Sequence, residues 1–277
     1  MTVETLPVVR PLDRRVASLA VLGDSTAVGL GDPLPGGGWR GFGPLLAAAL
    51  GASGEVRYTN LSVVGARLAD LRRRQLPGAL AARPDAAVIM AGMNDTLRSD
   101  FDPAALREDL DVTVAALRAS GAAVLTIRFH DHGRVFRLPG PLRRALQHRI
   151  GQLNDAIDQV VARRGALCLD LHLMPGSGDP AAWSVDRLHP SELGHRMLAA
   201  GFADLLAGAG VAVPHPVDLT CAGGRRLTTV HHVGWLVFHG VPWVARRGRD
   251  LVPHAARLVL RDLAGRPAAV PSRCGGR

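Results

Sequence analysis

This chain contains no lysine: all 33 of its basic residues are arginine. The absence removes whole classes of chemistry. There is no Walker A lysine for a nucleotide phosphate, no Schiff base on a carbonyl and no Ser–Lys dyad. Cysteine is scarce too. Cys168, Cys221 and Cys274 are odd in number and far apart, so neither a disulfide framework nor a CxxC zinc site is supported, and a reducing cytoplasm is the expected compartment. No stretch is apolar enough, for long enough, to read as a transmembrane helix. The first 15 residues carry Glu4, Arg10, Asp13, Arg14 and Arg15, and lack the apolar region and cleavage site of a signal peptide.

Acidic residues are also in deficit, 24 against 33 basic, which leaves a net charge of +9. Such a balance invites a nucleic-acid reading. The arginines are spread along the chain, however, with local clusters only at Arg72-Arg73-Arg74 and Arg246-Arg247-Arg249. Together with the abundance of alanine, glycine and proline, the pattern reads as GC-rich codon usage, and nucleic acid is not an expected partner.

What is present is a large apolar fraction, 47% of 277 residues. That suits one sizeable domain with an appendage. Five short apolar runs alternate with segments of helical spacing: Val16–Leu22, Val56–Leu61, Ala86–Ala91, Ala122–Ile127 and Ala166–Leu171. The intervening helices are expected at Phe42–Leu50, Leu68–Leu80, Pro103–Ser120, Leu142–Arg164 and Ser191–Leu206. This alternation predicts an α/β fold, a three-layer α/β/α sandwich around a five-stranded parallel sheet. Residues 1–207 form the expected catalytic domain. Residues 208–264 read as a C-terminal helical extension, and 265–277, rich in Gly, Pro and Arg, as a disordered tail. The extension holds Trp235, Phe238 and Trp243. It reads either as a helix packed on the sandwich or as an amphipathic lid, and it offers the chain's one route to membrane contact.

The chemistry gathers at strand ends. Val21-Leu-Gly-Asp-Ser25 ends the first apolar run, which puts Ser25 where open α/β sheets hold their ligands and makes it a nucleophile candidate. Of eleven histidines, His189 alone has an aspartate three residues earlier, Asp186. That spacing lets the carboxylate reach Nδ1 and leaves Nε2 free to take the serine proton. After the third run, Ala91-Gly-Met-Asn-Asp95 supplies Asn94, a neutral donor suited to an oxyanion hole. After the second comes Gly65, whose amide no side chain blocks. Asp24 and Asp95 are expected to hold the loops around Ser25 and Asn94. Trp39, Phe42 and Trp183 are candidates for the substrate pocket. His130-Asp131-His132 and His231-His232 resemble metal clusters, but adjacent side chains in an extended segment point opposite ways, so no metal site is expected. His172 and His195 read as packing or surface residues.

Gly23-Asp24-Ser25, Gly65, Gly92-Met93-Asn94-Asp95 and Asp186-x-x-His189 arrive in order, each after a strand of one sheet. This arrangement resembles the SGNH hydrolase superfamily, the GDSL esterases and lipases, over about residues 16–207. The resemblance implies a flavodoxin-like sandwich and a serine esterase with a small-molecule ester substrate, no cofactor and no metal. It casts Ser25 as nucleophile, His189 as general base and acid, and Asp186 as its orienting carboxylate. The Ser25 N–H, the Gly65 N–H and the Asn94 side chain become the oxyanion hole. Thr26 stands where the most familiar family pattern has leucine. Gly29-Leu-Gly-Asp-Pro33 and Gly38-Trp-Arg-Gly41 are similar to segments of compact intracellular actinobacterial members. Two other functions fit less directly. An acyltransferase would use the same residues. A non-catalytic binding module would require the loss of a triad member, and none is lost.

Overall fold

The computed structural model describes residues 14–52, 54–132 and 140–221, with Pro253 and Ala256 as isolated helical positions. The expected C-terminal helical extension and tail, with Trp235, Trp243 and His231-His232, therefore lie almost wholly outside the described residues. Five strands form one sheet: β1 (Ser18–Gly23), β2 (Arg57–Asn60), β3 (Ala86–Met90), β4 (Ala123–Arg128) and β5 (Leu167–Asp170). Their order is β2-β1-β3-β4-β5 and every pairing is parallel. The burial of each strand follows its place. β1 and β3 are buried along their whole length, as strands covered on both faces must be. The edge strands β2 and β5 are only part-buried and carry Arg57, Asn60 and Asp170.

Helices cover both faces. They are α1 (Ser25–Val28), α2 (Phe42–Leu50), α3 (68–82), α4 (Met93–Thr96), α5 (Pro103–Ala119), α6 (Gly140–Arg164) and α7 (Glu192–Gly208). α2 packs with α7 on one face, and α3 and α6 pack with α5 on the other. Local chemistry sets their starts. Asp102 accepts from the N–H groups of Ala104 and Ala105 ahead of Pro103, and Ser191 accepts from Gly194 N–H at the start of α7. The helix expected at Leu68–Leu80 is present, but Leu71–Gln75 within it winds as a π-helix. A regular apolar spacing carries no sign of that extra width.

The sheet order reverses direction between β1 and β3. At such a switch point the connections leave toward opposite faces and open a crevice at the C-terminal strand ends. Ser25 follows β1 and Asn94 follows β3, so the two flank that crevice.

Candidate active site

The turn carrying Ser25 is built on close approach. A Cβ on Gly23 would collide with the Met90 carbonyl oxygen, so only glycine lets β1 end this near β3. Gln75 is buried and pairs with both main-chain groups of Gly23, Gly23 N–H to Oε1 at 2.8 Å and Nε2 to Gly23 O at 2.9 Å. Its position closes the π-helical stretch, whose widened turn lies against the Ser25 turn. Asp24 N–H donates to Met90 O at 3.1 Å, and the Asp24 carboxylate caps α1 by accepting from Thr26 N–H at 3.0 Å. Ser25 thus opens a one-turn helix at the carboxyl end of the central strand.

His189 reaches Ser25 from the far end of the chain. Its Nε2 lies 2.8 Å from Ser25 Oγ, and its Nδ1 lies 2.5 Å from Asp186 Oδ2. The other oxygen of Asp186 accepts from the N–H groups of Leu188 and His189, each at 2.9 Å. The same carboxylate therefore shapes the loop and orients the ring. Between them Arg187 adopts a left-handed φ of 57°, a conformation that branched or bulky residues rarely take. Burial pushes the Asp186 carboxyl up, but hydrogen bonding and charge from His189, with the two N–H donors, outweigh it and hold it below the usual range.

Asn94 Nδ2 donates to Asp24 Oδ2 and to Ala66 O, both at 3.2 Å. It is therefore tied to the Ser25 turn on one side and to the Gly65 turn on the other. Gly65 takes φ 78° at an exposed corner where a Cβ would meet nothing within 4 Å. Backbone conformation, not crowding, selects glycine there. Asp95 is buried and accepts from Arg67 Nε at 3.1 Å and Leu68 N–H at 3.2 Å, which joins the β3 loop to the start of α3. Burial raises the carboxyls of Asp24, to about 7, and Asp95, to about 6, against the lowering pull of their donors.

Two of the three expected pocket aromatics lie elsewhere. Phe42 is 0% exposed and packs against Phe202 and His195 in the core between α2 and α7. Its place at the first position of an amphipathic helix turns it inward. Trp39 is 45% exposed on the loop before α2. Trp183 does line the cavity beside Ser25, with its Nε1 donating to Ser177 O at 2.8 Å. His130 and His132 also line it. Their rings stack at 4.4 Å and face Trp183 at 5.1 and 5.4 Å, while Asp131 turns away to Arg143 and Gln147. Among the described residues no three metal-ligating side chains converge. His195 is fully buried, with Nε2 2.9 Å from Leu30 O, and His172 stands at the end of β5.

Sequence reasoning passed over one further network. Asp32 is buried and binds Arg40 through two hydrogen bonds of 2.9 and 3.1 Å; Arg40 also reaches Glu192 Oε1 at 2.8 Å. Arg196 binds the same Glu192 oxygen at 2.9 Å. The loop 29–41, which follows the Ser25 helix, is in this way clasped to α7, which follows His189. The glycines of Gly29-Leu-Gly-Asp-Pro33 and Gly38-Trp-Arg-Gly41 are the available signal, since Gly29 and Gly41 touch at the base of that loop.

Residues 21–197 match the model of the GDSL-like lipase/acylhydrolase family. The chain belongs to that family. Among its relatives is a GDSL-like esterase of Mycobacterium tuberculosis, 32% identical over 194 residues, 65% of this chain and 59% of the relative. The chain thus spans less than two thirds of that protein. An acetylxylan esterase of Geobacillus stearothermophilus is 28% identical over 162 residues, 53% of this chain and 70% of its own length. A lipase/acylhydrolase from Enterococcus faecalis shares the fold with a TM-score of 0.54 and 25% identity, over 69% of this chain and 96% of that one. These GDSL relatives agree with the five-stranded α/β/α sandwich described above. Among the described residues, no helix is long and apolar enough to cross a membrane.

Proposed function

We propose that this GDSL-family protein is a serine esterase that cleaves a carboxylic ester through a covalent acyl-enzyme. The observation that carries the reading is the unbroken line from Ser25 Oγ through His189 to Asp186, 2.8 and 2.5 Å long. Ser25 Oγ attacks the ester carbonyl carbon as His189 Nε2 takes its proton. The tetrahedral oxyanion is held by the N–H groups of Ser25 and Gly65 and by Asn94, whose amide protons turn to it from Ala66 O or Asp24. The carbon–alkoxy bond breaks, and His189 passes its proton to the departing alkoxide, which leaves as the alcohol. Water then attacks the acyl-enzyme with His189 again as base, releasing the acid and restoring Ser25. Asp186 stabilises the imidazolium throughout.

Turnover of p-nitrophenyl esters, followed together with labelling by a fluorophosphonate, tests this. Wild type should hydrolyse and label. Ser25→Ala should lose at least about 10³-fold in kcat and all labelling. Equal labelling of the two proteins would remove Ser25 from the mechanism.

A further inference from the structure

The cavity beside Ser25 spans about 780 Å³, part of it open to solvent. Its lining follows the C-terminal strand ends in order. Met90 ends β3, Ile127 and Phe129 lie at the end of β4, and Leu171 follows β5. Trp183 and Leu198 close the side formed by the His189 loop and α7. From β3 to β5 is two inter-strand spacings, about 10 Å, roughly the length of an extended octanoyl chain. An acetyl group would leave nearly all of this apolar wall without a partner. His130 and His132 share the wall beside Trp183. Burial depresses His132 to about 3, so its ring is neutral.

The two halves of an ester make different demands on a site. The alcohol must leave and water must replace it, whereas the acyl group stays until deacylation. A mainly apolar pocket suits the group that stays. The Gly65 turn, with Val63 and Val64 each 59% exposed, lies outside the cavity lining and faces solvent.

Resting on the reading of Ser25 as the esterase nucleophile, we propose that the acyl group is an unbranched medium chain, hexanoyl to decanoyl, laid along the ends of β3, β4 and β5. The specificity-determining residues are those that bound the trough at β5, Leu171 and Met174, with Trp183 as its side wall.

The experiment uses the full chain and p-nitrophenyl acetate, butyrate, hexanoate, octanoate and decanoate below their micellar concentrations, with active sites counted by fluorophosphonate. Each methylene buried should raise kcat/KM by about fourfold, so octanoate, with six more methylenes, should exceed acetate by on the order of 10³-fold. Met174→Trp, which fills the β5 end, should lower the octanoate-to-acetate ratio by about tenfold or more and move the optimum to a shorter chain. An enzyme that labels and turns over acetate as well as octanoate, or better, overturns the medium-chain assignment and leaves the esterase standing. The same holds if Met174→Trp folds and keeps the wild-type ratio. A folded protein that neither labels nor hydrolyses any ester overturns the esterase reading and the acyl assignment with it.

Discussion

On the Ser25 side of the site, most restraints end on main-chain atoms. Gln75 grips both peptide groups of Gly23, Met90 O accepts from Asp24 N–H, and Gly23 O accepts from Val63 N–H at 3.1 Å. On the His189 side they run through charged side chains. Asp186 holds the ring, and Arg40 and Arg196 converge on Glu192, three residues further along. Ser25 is placed by a strand end held close to its neighbour. His189 is held by a carboxylate three residues away, and the helix that follows it is tied by Arg40 to a distant loop. Changes on the first side should therefore abolish geometry, and changes on the second should degrade it by steps.

Asn94→Ala tests the first side where chemistry is most direct. It should lower kcat by about 10²–10³-fold with little change in KM, because the lost donor matters most once charge sits on the oxygen. An unchanged kcat would take Asn94 out of the oxyanion hole. Gln75→Leu comes next. It leaves the buried N–H of Gly23 unpaired, at about 1–3 kcal/mol, and leaves Gly23 O with Val63 N–H as its remaining donor. A fall in melting temperature should come with a slower fluorophosphonate reaction; a slower reaction that does not appear would separate the Gly23 clamp from nucleophile placement.

Arg40 probes the second side. Arg40→Ala strips the bidentate partner from buried Asp32 and the contact with Glu192, and should cost about 1–3 kcal/mol. kcat should fall several-fold with KM held. Arg40→Lys should restore only part of it, since an ammonium cannot form the paired contact. Full rescue by lysine would reduce the clasp to a matter of charge.

The smallest effect is one of pH, and its sign differs between groups. Folded Asp24 keeps its proton up to about 7, whereas the unfolded chain loses it near the ordinary value of about 4. The native state binds more protons in that window, so Asp24 lowers stability as pH rises from about 4 to 7. The advantage in melting temperature of Asp24→Asn over wild type should therefore grow across the same range. His132 and His195 act in the opposite sense. Burial depresses them to about 3 and about 4, while the unfolded chain takes up their protons below about 6.5. Their contribution is complete above that value and is lost as pH falls toward 4. Melting temperatures across about pH 4–8 check both slopes.

The comparison also explains what was legible in the sequence. The five strands were visible because their apolar runs must be continuous in a sheet covered on both faces. The expected run Ala86–Ala91 became β3 at Ala86–Met90, and Ala166–Leu171 became β5 at Leu167–Asp170. The groups now gathered around Ser25 were visible as short motifs because each is fixed locally, by a glycine turn or by Asp186 three residues from His189. What stayed hidden is long-range. Nothing near Gln75 marks it as a partner of Gly23, 52 residues away. The Arg40–Glu192 pair joins segments with no common pattern. Phe42 was assigned to the pocket from its nearness in sequence to the motif loops, but helix α2 turns it into the core. The stacking of His130 on His132 follows from the alternation of an extended segment, yet the cavity they face is made by residues far away in the chain.

The 164 residues between Ser25 and His189 also have a meaning in time. During synthesis at about 5–20 residues per second, Ser25 is made roughly 8–30 s before its base. β1, β2 and β3 all precede His189 in the chain, so the strand end that carries Ser25 is synthesised before the ring that faces it. Under the proposed mechanism the hydroxyl of a half-made protein is an ordinary alcohol, without the proton acceptor that the segment after β5 supplies.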